Sequence, residues 1–95
     1  MGLRIDERVR TEILRIASSH GAIGVRVFGS VARGDATAGS DLDLLVKMKP
    51  GASLLDLIAI KQDLEDLLGI RVDIVTEKAL SPYIKDDVLS HAVAL

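Results

Sequence analysis

Asp41 and Asp43 sit two positions apart in the stretch SDLDLLVKM, and Asp73 is the one acid in IRVDIVT. Both stretches are otherwise apolar and β-branched enough to read as strands. In a strand, residues two apart share a face at a rise of roughly 3.3 Å each, so Asp41 and Asp43 project side by side about 7 Å apart along the backbone. Leu42 and Leu44 then face the core. Two neighbouring carboxylates repel, and one of them is driven toward protonation unless a cation or hydrogen-bond donors compensate. A divalent cation is the simplest compensation. If the strand carrying Asp73 lies beside the strand carrying Asp43, the third carboxylate joins the pair, and a set of oxygens with no His or Cys nearby favours Mg²⁺ or Mn²⁺. Mg²⁺ also keeps coordination positions for water and phosphate.

Upstream, Gly29 and Ser30 end an apolar run and open the segment GSVARGDATAGS. A glycine-serine turn at the start of a short helical turn offers backbone N–H groups and a hydroxyl, the donors that hold phosphate oxygens. A phosphate site beside a cation site is chemically coherent. Each feature also has a plain structural reading. Asp41 at a strand's first position suits a solvated edge, Asp73 suits a salt bridge with Arg71 or Arg26, and Gly29-Ser30 alone is a turn. Asp43 and Asp73 resist that reading more, because each stands among core-type residues where an unpaired charge is costly. Arg33 suits either a triphosphate contact or a salt bridge with Asp35. His20 and His91 are not at metal-ligand spacing and read as a helix-end residue and a surface residue; Lys47 and Lys49 read as solvated, with a nucleotide contact as the other reading.

The positioning elements follow from capping and periodicity. Asp6 caps a helix with apolar Val9, Ile13, Ile16 and Ala17 at helical spacing, stopped near Gly21. A strand runs from about Ile23 to Phe28, and the second strand is DLDLLVKM. Ser53 and Asp56 make a capping-box-like S-x-x-D that opens a helix through Leu54, Leu57, Ile58, Leu64, Leu67 and Leu68 to Gly69. The third strand is IRVDIVT, and the last helix starts with Ser81 as cap and Pro82 at its first position. Strand, helix and strand from Asp41 to Thr76 predict a crossover unit with its two strands parallel. The expected fold is α/β (α+β), a small mixed sheet flanked by helices in the order α-β-α-β-α-β-α, in which the second α is a short turn.

Bulk properties narrow the partners. Ninety-five residues suit a single domain spanning 1–95. Twelve basic against 14 acidic residues give a formal charge of -2, which argues against a general polyanion binder and against direct nucleic-acid binding. Aromatics are 2% of the chain, which suggests an aliphatic core and argues against stacking platforms for single strands. The absence of cysteine removes disulfides, thiolate metal sites and cysteine nucleophiles. MGLRIDERVRTEILRIASS has no uninterrupted apolar run, so neither signal peptide nor membrane span is expected, and the default location is the cytoplasm.

The spacing Gly29-Ser30, ten residues, Asp41-Leu42-Asp43 and a later strand aspartate, Asp73, resembles the nucleotidyltransferase superfamily of the DNA polymerase β type. GSVARG and SDLDLLV look more specifically like the minimal nucleotidyltransferases (MNT), antitoxin partners of HEPN-domain toxins. By motif the resemblance covers roughly residues 23 to 76. It implies two Mg²⁺ ions about 3.5–4 Å apart, held by Asp41, Asp43 and Asp73. It further implies ATP held at Gly29, Ser30 and Arg33, and transfer of AMP to a hydroxyl of the toxin, expected to be a tyrosine, with release of pyrophosphate. Two other outcomes stay open: an antitoxin that works by binding alone, and a small-molecule transferase of the antibiotic-modifying type. A body this small is expected to borrow acceptor-binding surface from a partner, as a homo- or hetero-oligomer.

Overall fold

The computed structural model describes residues 5–29 and 41–95. Helix α1 spans Glu7–Ser19 and starts where expected: the Asp6 Oδ1 accepts from the Val9 N–H at 2.9 Å, satisfying one of the free amides of the first turn. Its buried residues are Ile13, Ile16 and Ala17, the inward stripe the spacing predicts. Gly21, at φ +94°, turns the chain out of the helix, and its carbonyl accepts from the Lys49 N–H at 2.8 Å. That bond ties the end of α1 to the end of the second strand.

Strand β1 (Ala22–Phe28) runs antiparallel to β2 (Leu42–Met48), pairing Val25 with Val46, Val27 with Leu44 and Phe28 with Asp43. From β2 the chain crosses through α2 (Leu54–Leu68) to β3 (Val72–Thr76), which lies parallel to β2, as the strand-helix-strand order predicts. A single 3-10 turn, Glu77–Ala79, leads to α3 (Pro82–His91) and a two-residue β4 (Val93–Ala94) antiparallel to β1. The sheet order is β3-β2-β1-β4, a mixed sheet.

One face of this sheet carries Val25 and Val27 of β1, Leu42, Leu44 and Val46 of β2 and Val72 of β3, packed with Ile13, Ile16 and Ala17 of α1 and Ile60 and Leu64 of α2. Leu42, Leu44, Val72, Ile60 and Leu64 are fully excluded from solvent. Each such side chain contributes about 1.5–3 kcal/mol by leaving water. The alternation in β2 therefore commits its even-numbered residues to the core and sends Asp43 and Leu45 to the opposite face.

Three details differ from the sequence reading. On α2 the core contacts come from Leu57, Ile60, Leu64 and Leu68, whereas Leu54, Ile58 and Leu67 are 69%, 44% and 48% exposed. The segment LLDLIAI is apolar nearly all round, so periodicity selects no face, and the line 57-60-64-68 wins because it meets the sheet. The third strand begins at Val72 rather than Ile70. The 3-10 turn and β4 were not expected at all, being too short to carry a periodic pattern. The caps hold: the Ser53 N–H donates to Asp56 Oδ2 at 2.9 Å, Gly69 takes the left-handed conformation after α2, and Ser81 caps α3 with Pro82 at its first position.

Candidate functional site

Register brings two of the three aspartates together. In the parallel β2-β3 pair Asp43 lies directly opposite Asp73. Adjacent strands are about 4.8 Å apart, so the two side chains rise as neighbours from the face opposite α1 and α2. Asp41 immediately precedes β2 and is half-buried, as are Asp43 and Asp73. At about 5 Å, with an effective dielectric between water and a protein surface, two such charges repel by about 1–3 kcal/mol. The site therefore has a standing demand for positive charge.

Arg71 answers part of that demand. Its Nε lies 3.8 Å from Asp41 Oδ2 and 3.8 Å from Asp73 Oδ1, bridging the starts of the parallel strands β2 and β3. The salt bridge that competes with the functional reading is thus present for Asp73, with Arg71 as partner. Its side chain is 70% exposed and both contacts are long, so it is a weak, displaceable counter-charge. Arg26 stands opposite Leu45, exposed on the same face of β1.

Gly29 supplies the second boundary of the site. It follows β1 at φ +73°, and a Cβ built on it would overlap Asp43 Oδ2 and stand 3.1 Å from Asp43 Cγ. Only a residue without a side chain lets the backbone and the carboxylate approach so closely. The register Phe28-Asp43 explains the approach, since the residue after Phe28 must pass beside Asp43. Ser30, Arg33 and Asp35 lie outside the described residues.

An oxygen-only, half-exposed pair of facing carboxylates fits Mg²⁺, which takes one or two carboxylates and leaves its remaining positions to water and phosphate. Among the described residues no three His, Cys, Asp or Glu side chains converge into a ready-made cage. The histidines stay outside: His20 is the C-cap of α1 and pairs with Asp63 at 2.8 Å, and His91 is exposed at the end of α3. Lys47 and Lys49 are exposed.

Sequence reasoning missed the support behind Asp73. Lys61 and Glu65, one turn apart on α2, reach the first residue of β3. The Lys61 Nζ donates to the Val72 carbonyl at 2.7 Å and to Glu65 Oε2 at 3.0 Å, and the Val72 N–H donates to the same Glu65 oxygen at 3.0 Å. The Val72 amide, the Lys61 hydrogen bond, and the charges of Lys61 and Arg71 together hold the Glu65 carboxyl below its ordinary pKa, against the opposing effect of desolvation. The Lys-x-x-x-Glu spacing is visible in the sequence, but it reads there as an ordinary exposed helix pair.

The nucleotidyltransferase domain model matches residues 7–95. A protein of Methanocaldococcus jannaschii, MJ0435, provisionally named a protein adenylyltransferase, is 40% identical over 85 residues, covering 90% of this chain and 91% of its own length. The protein adenylyltransferase MntA of Thermococcus cleftensis is 45% identical over 73 residues, with 74% of each chain covered. A solved structure provisionally named a minimal nucleotidyltransferase superposes with TM-score 0.85 at 48% identity, covering 99% of this chain and 100% of that one. At 17% identity and TM-score 0.67, the complex of a tri-AMPylated HEPN toxin with an MNT antitoxin from Shewanella oneidensis has a chain of like fold, with 90% of this chain and 66% of that one covered.

Proposed function

The chain belongs to the nucleotidyltransferase domain family, and from that premise we propose that it is a Mg²⁺-dependent protein adenylyltransferase acting as the antitoxin of a HEPN-domain toxin. In this reading residues 1–95 form one catalytic domain in the cytoplasm; no described helix is long and apolar enough to cross a membrane. The observation that carries the reading is the facing pair Asp43 and Asp73 with the Gly29 backbone against Asp43. The names of the relatives support AMP as the transferred group and a HEPN toxin as the acceptor.

Asp41, Asp43 and Asp73 would hold Mg²⁺, which when bound neutralises phosphate charge and stabilises the charge that develops at the reacting phosphorus. Ser30, Arg33 and the amides after Gly29 hold the β- and γ-phosphates of ATP. Asp73 accepts the proton of the acceptor hydroxyl, a tyrosine of the toxin. That oxygen bonds to the α-phosphorus while the bond to the bridging oxygen breaks and pyrophosphate leaves. The residues act mainly by position and charge. Arg71, 70% exposed and 3.8 Å from both Asp41 and Asp73, is the counter-charge that a bound cation would replace.

The test is the intact mass of the HEPN partner after incubation with this protein, ATP and Mg²⁺. A gain of AMP with wild type and none with the folded double variant Asp41→Asn, Asp43→Asn is expected. If that variant protects cells from the toxin as fully as wild type does, with no AMP on the toxin, neutralisation is by binding alone. Exposed Tyr83, Ile84, Leu54 and Leu55 offer apolar surface for such binding.

A further inference from the structure

Asp73 is useful only if β3 keeps the register that sets it opposite Asp43, and β3 is an edge strand of five residues. Its β2 side is secured by the ladder and by the Leu42 N–H donating to the Arg71 carbonyl at 3.0 Å. The N–H and C=O of Val72 are taken instead by α2: Glu65 accepts from the one and Lys61 donates to the other, while Lys61 and Glu65 also bond to each other. The backbone of the residue immediately before Asp73 is thereby held at both polar groups by one closed, charge-assisted network. The Val72 side chain, fully buried in the core, blocks rotation from the other side.

We propose that Lys61 and Glu65 are positioning residues for the transfer site, a two-residue clamp that fixes Asp73 against Asp43 through the backbone of Val72. The proposal rests on the role given to Asp73 above. Neither side chain need touch ATP, ion or acceptor. One carboxylate oxygen of Glu65 accepts from both an amide and an ammonium, and the ammonium donates twice, so every side-chain bond of the clamp is charge-assisted. The depressed pKa of Glu65 is the same network seen from the proton's side.

The experiment compares Glu65→Met, which removes the acceptor at similar length, Lys61→Met and Asp73→Asn with wild type, using Mg²⁺, ATP and the HEPN partner for turnover. A Mn²⁺ titration, followed by broadening of the Asp43 and Asp73 amide signals, reports binding independently. Loosened support behind a cation-binding carboxylate typically costs about 10–100-fold, so kcat and Mn²⁺ affinity should each fall by about 10-fold or more in both clamp variants. KM for ATP should stay near the wild-type value, because neither clamp residue is given a phosphate contact. If Glu65→Met does not fold, Lys61→Met, which keeps the aliphatic stem and the Glu65 bond to Val72, decides alone. A folded clamp variant with kcat and Mn²⁺ affinity within about twofold of wild type overturns the clamp, as does a loss of turnover that only tracks the unfolded fraction. Wild-type turnover by Asp73→Asn would instead remove the role of Asp73, and the clamp's purpose with it.

Discussion

Replacing Gly29 by alanine separates the geometry of the site from the stability of the fold. A residue with a Cβ at φ +73° costs about 1–2 kcal/mol in backbone strain. In a chain of this size each kcal/mol lowers the thermal midpoint by about 4–8 °C. Gly69 provides the matched control: it sits at φ +69°, yet a Cβ there meets nothing within 4 Å. Gly69→Ala should therefore show the strain alone, a loss of about 4–16 °C with AMP transfer intact below the transition. In Gly29→Ala the added methyl also overlaps Asp43 Oδ2 and crowds its Cγ and Cβ, at 3.1 and 3.4 Å. Asp43 is anchored in a central strand between Phe28 and Asp73, so the side chain must rotate away rather than the backbone yield. A displacement of about 1 Å in a reacting constellation costs about 100-fold in rate. The assay is thermal denaturation of both variants beside AMP transfer to the HEPN partner at a temperature where each is folded. Gly29→Ala with the midpoint of Gly69→Ala and full transfer would refute the idea that this glycine is kept for Asp43.

Ile60→Ala, which empties a fully buried position between α2 and the sheet, should lower the unfolding free energy by about 2–5 kcal/mol in chemical denaturation. Asp41→Asn with Asp43→Asn should hold or raise the thermal midpoint while abolishing Mn²⁺ binding, since it relieves like-charge repulsion and the Asp41 contact to Arg71 is exposed and weak. Glu65 is held below its ordinary pKa of 4.5, so its stabilising contribution is complete above that value and is lost as pH falls through the lowered one. The stability gap between wild type and Glu65→Gln, read by denaturation at a series of pH values, should be constant near neutrality and close below pH 4.5.

How much of this was legible in the chain depends on the range of the interaction. Asp6, Ser53 with Asp56, Ser81 with Pro82 and the glycines at 21 and 69 act within a few residues, and their caps and stops are found where local chemistry puts them. The parallel pairing of β2 with β3 followed from connectivity, and with it the facing of Asp43 and Asp73. The inward line of α2 was not legible, because Leu54, Leu55 and Ile58 are as apolar as Ile60 and only the sheet chooses among them. β4 and the bonds of Lys61 and Glu65 to Val72 depend on partners distant in sequence, and no local pattern announces them.

The two ends of the sheet bear on how the protein survives at high concentration. A sheet border with free N–H and C=O groups templates pairing with other chains, and long flat borders nucleate aggregates. Here the outer strands are five and two residues long. At Val72, the one fully buried residue of the longer border, a lysine and a glutamate already take the groups that an incoming strand would seek. A chain that exposes Leu54, Leu55 and Tyr83 therefore closes, at that point, the backbone route by which copies of itself would stack, leaving association to side-chain contacts that evolution can make selective.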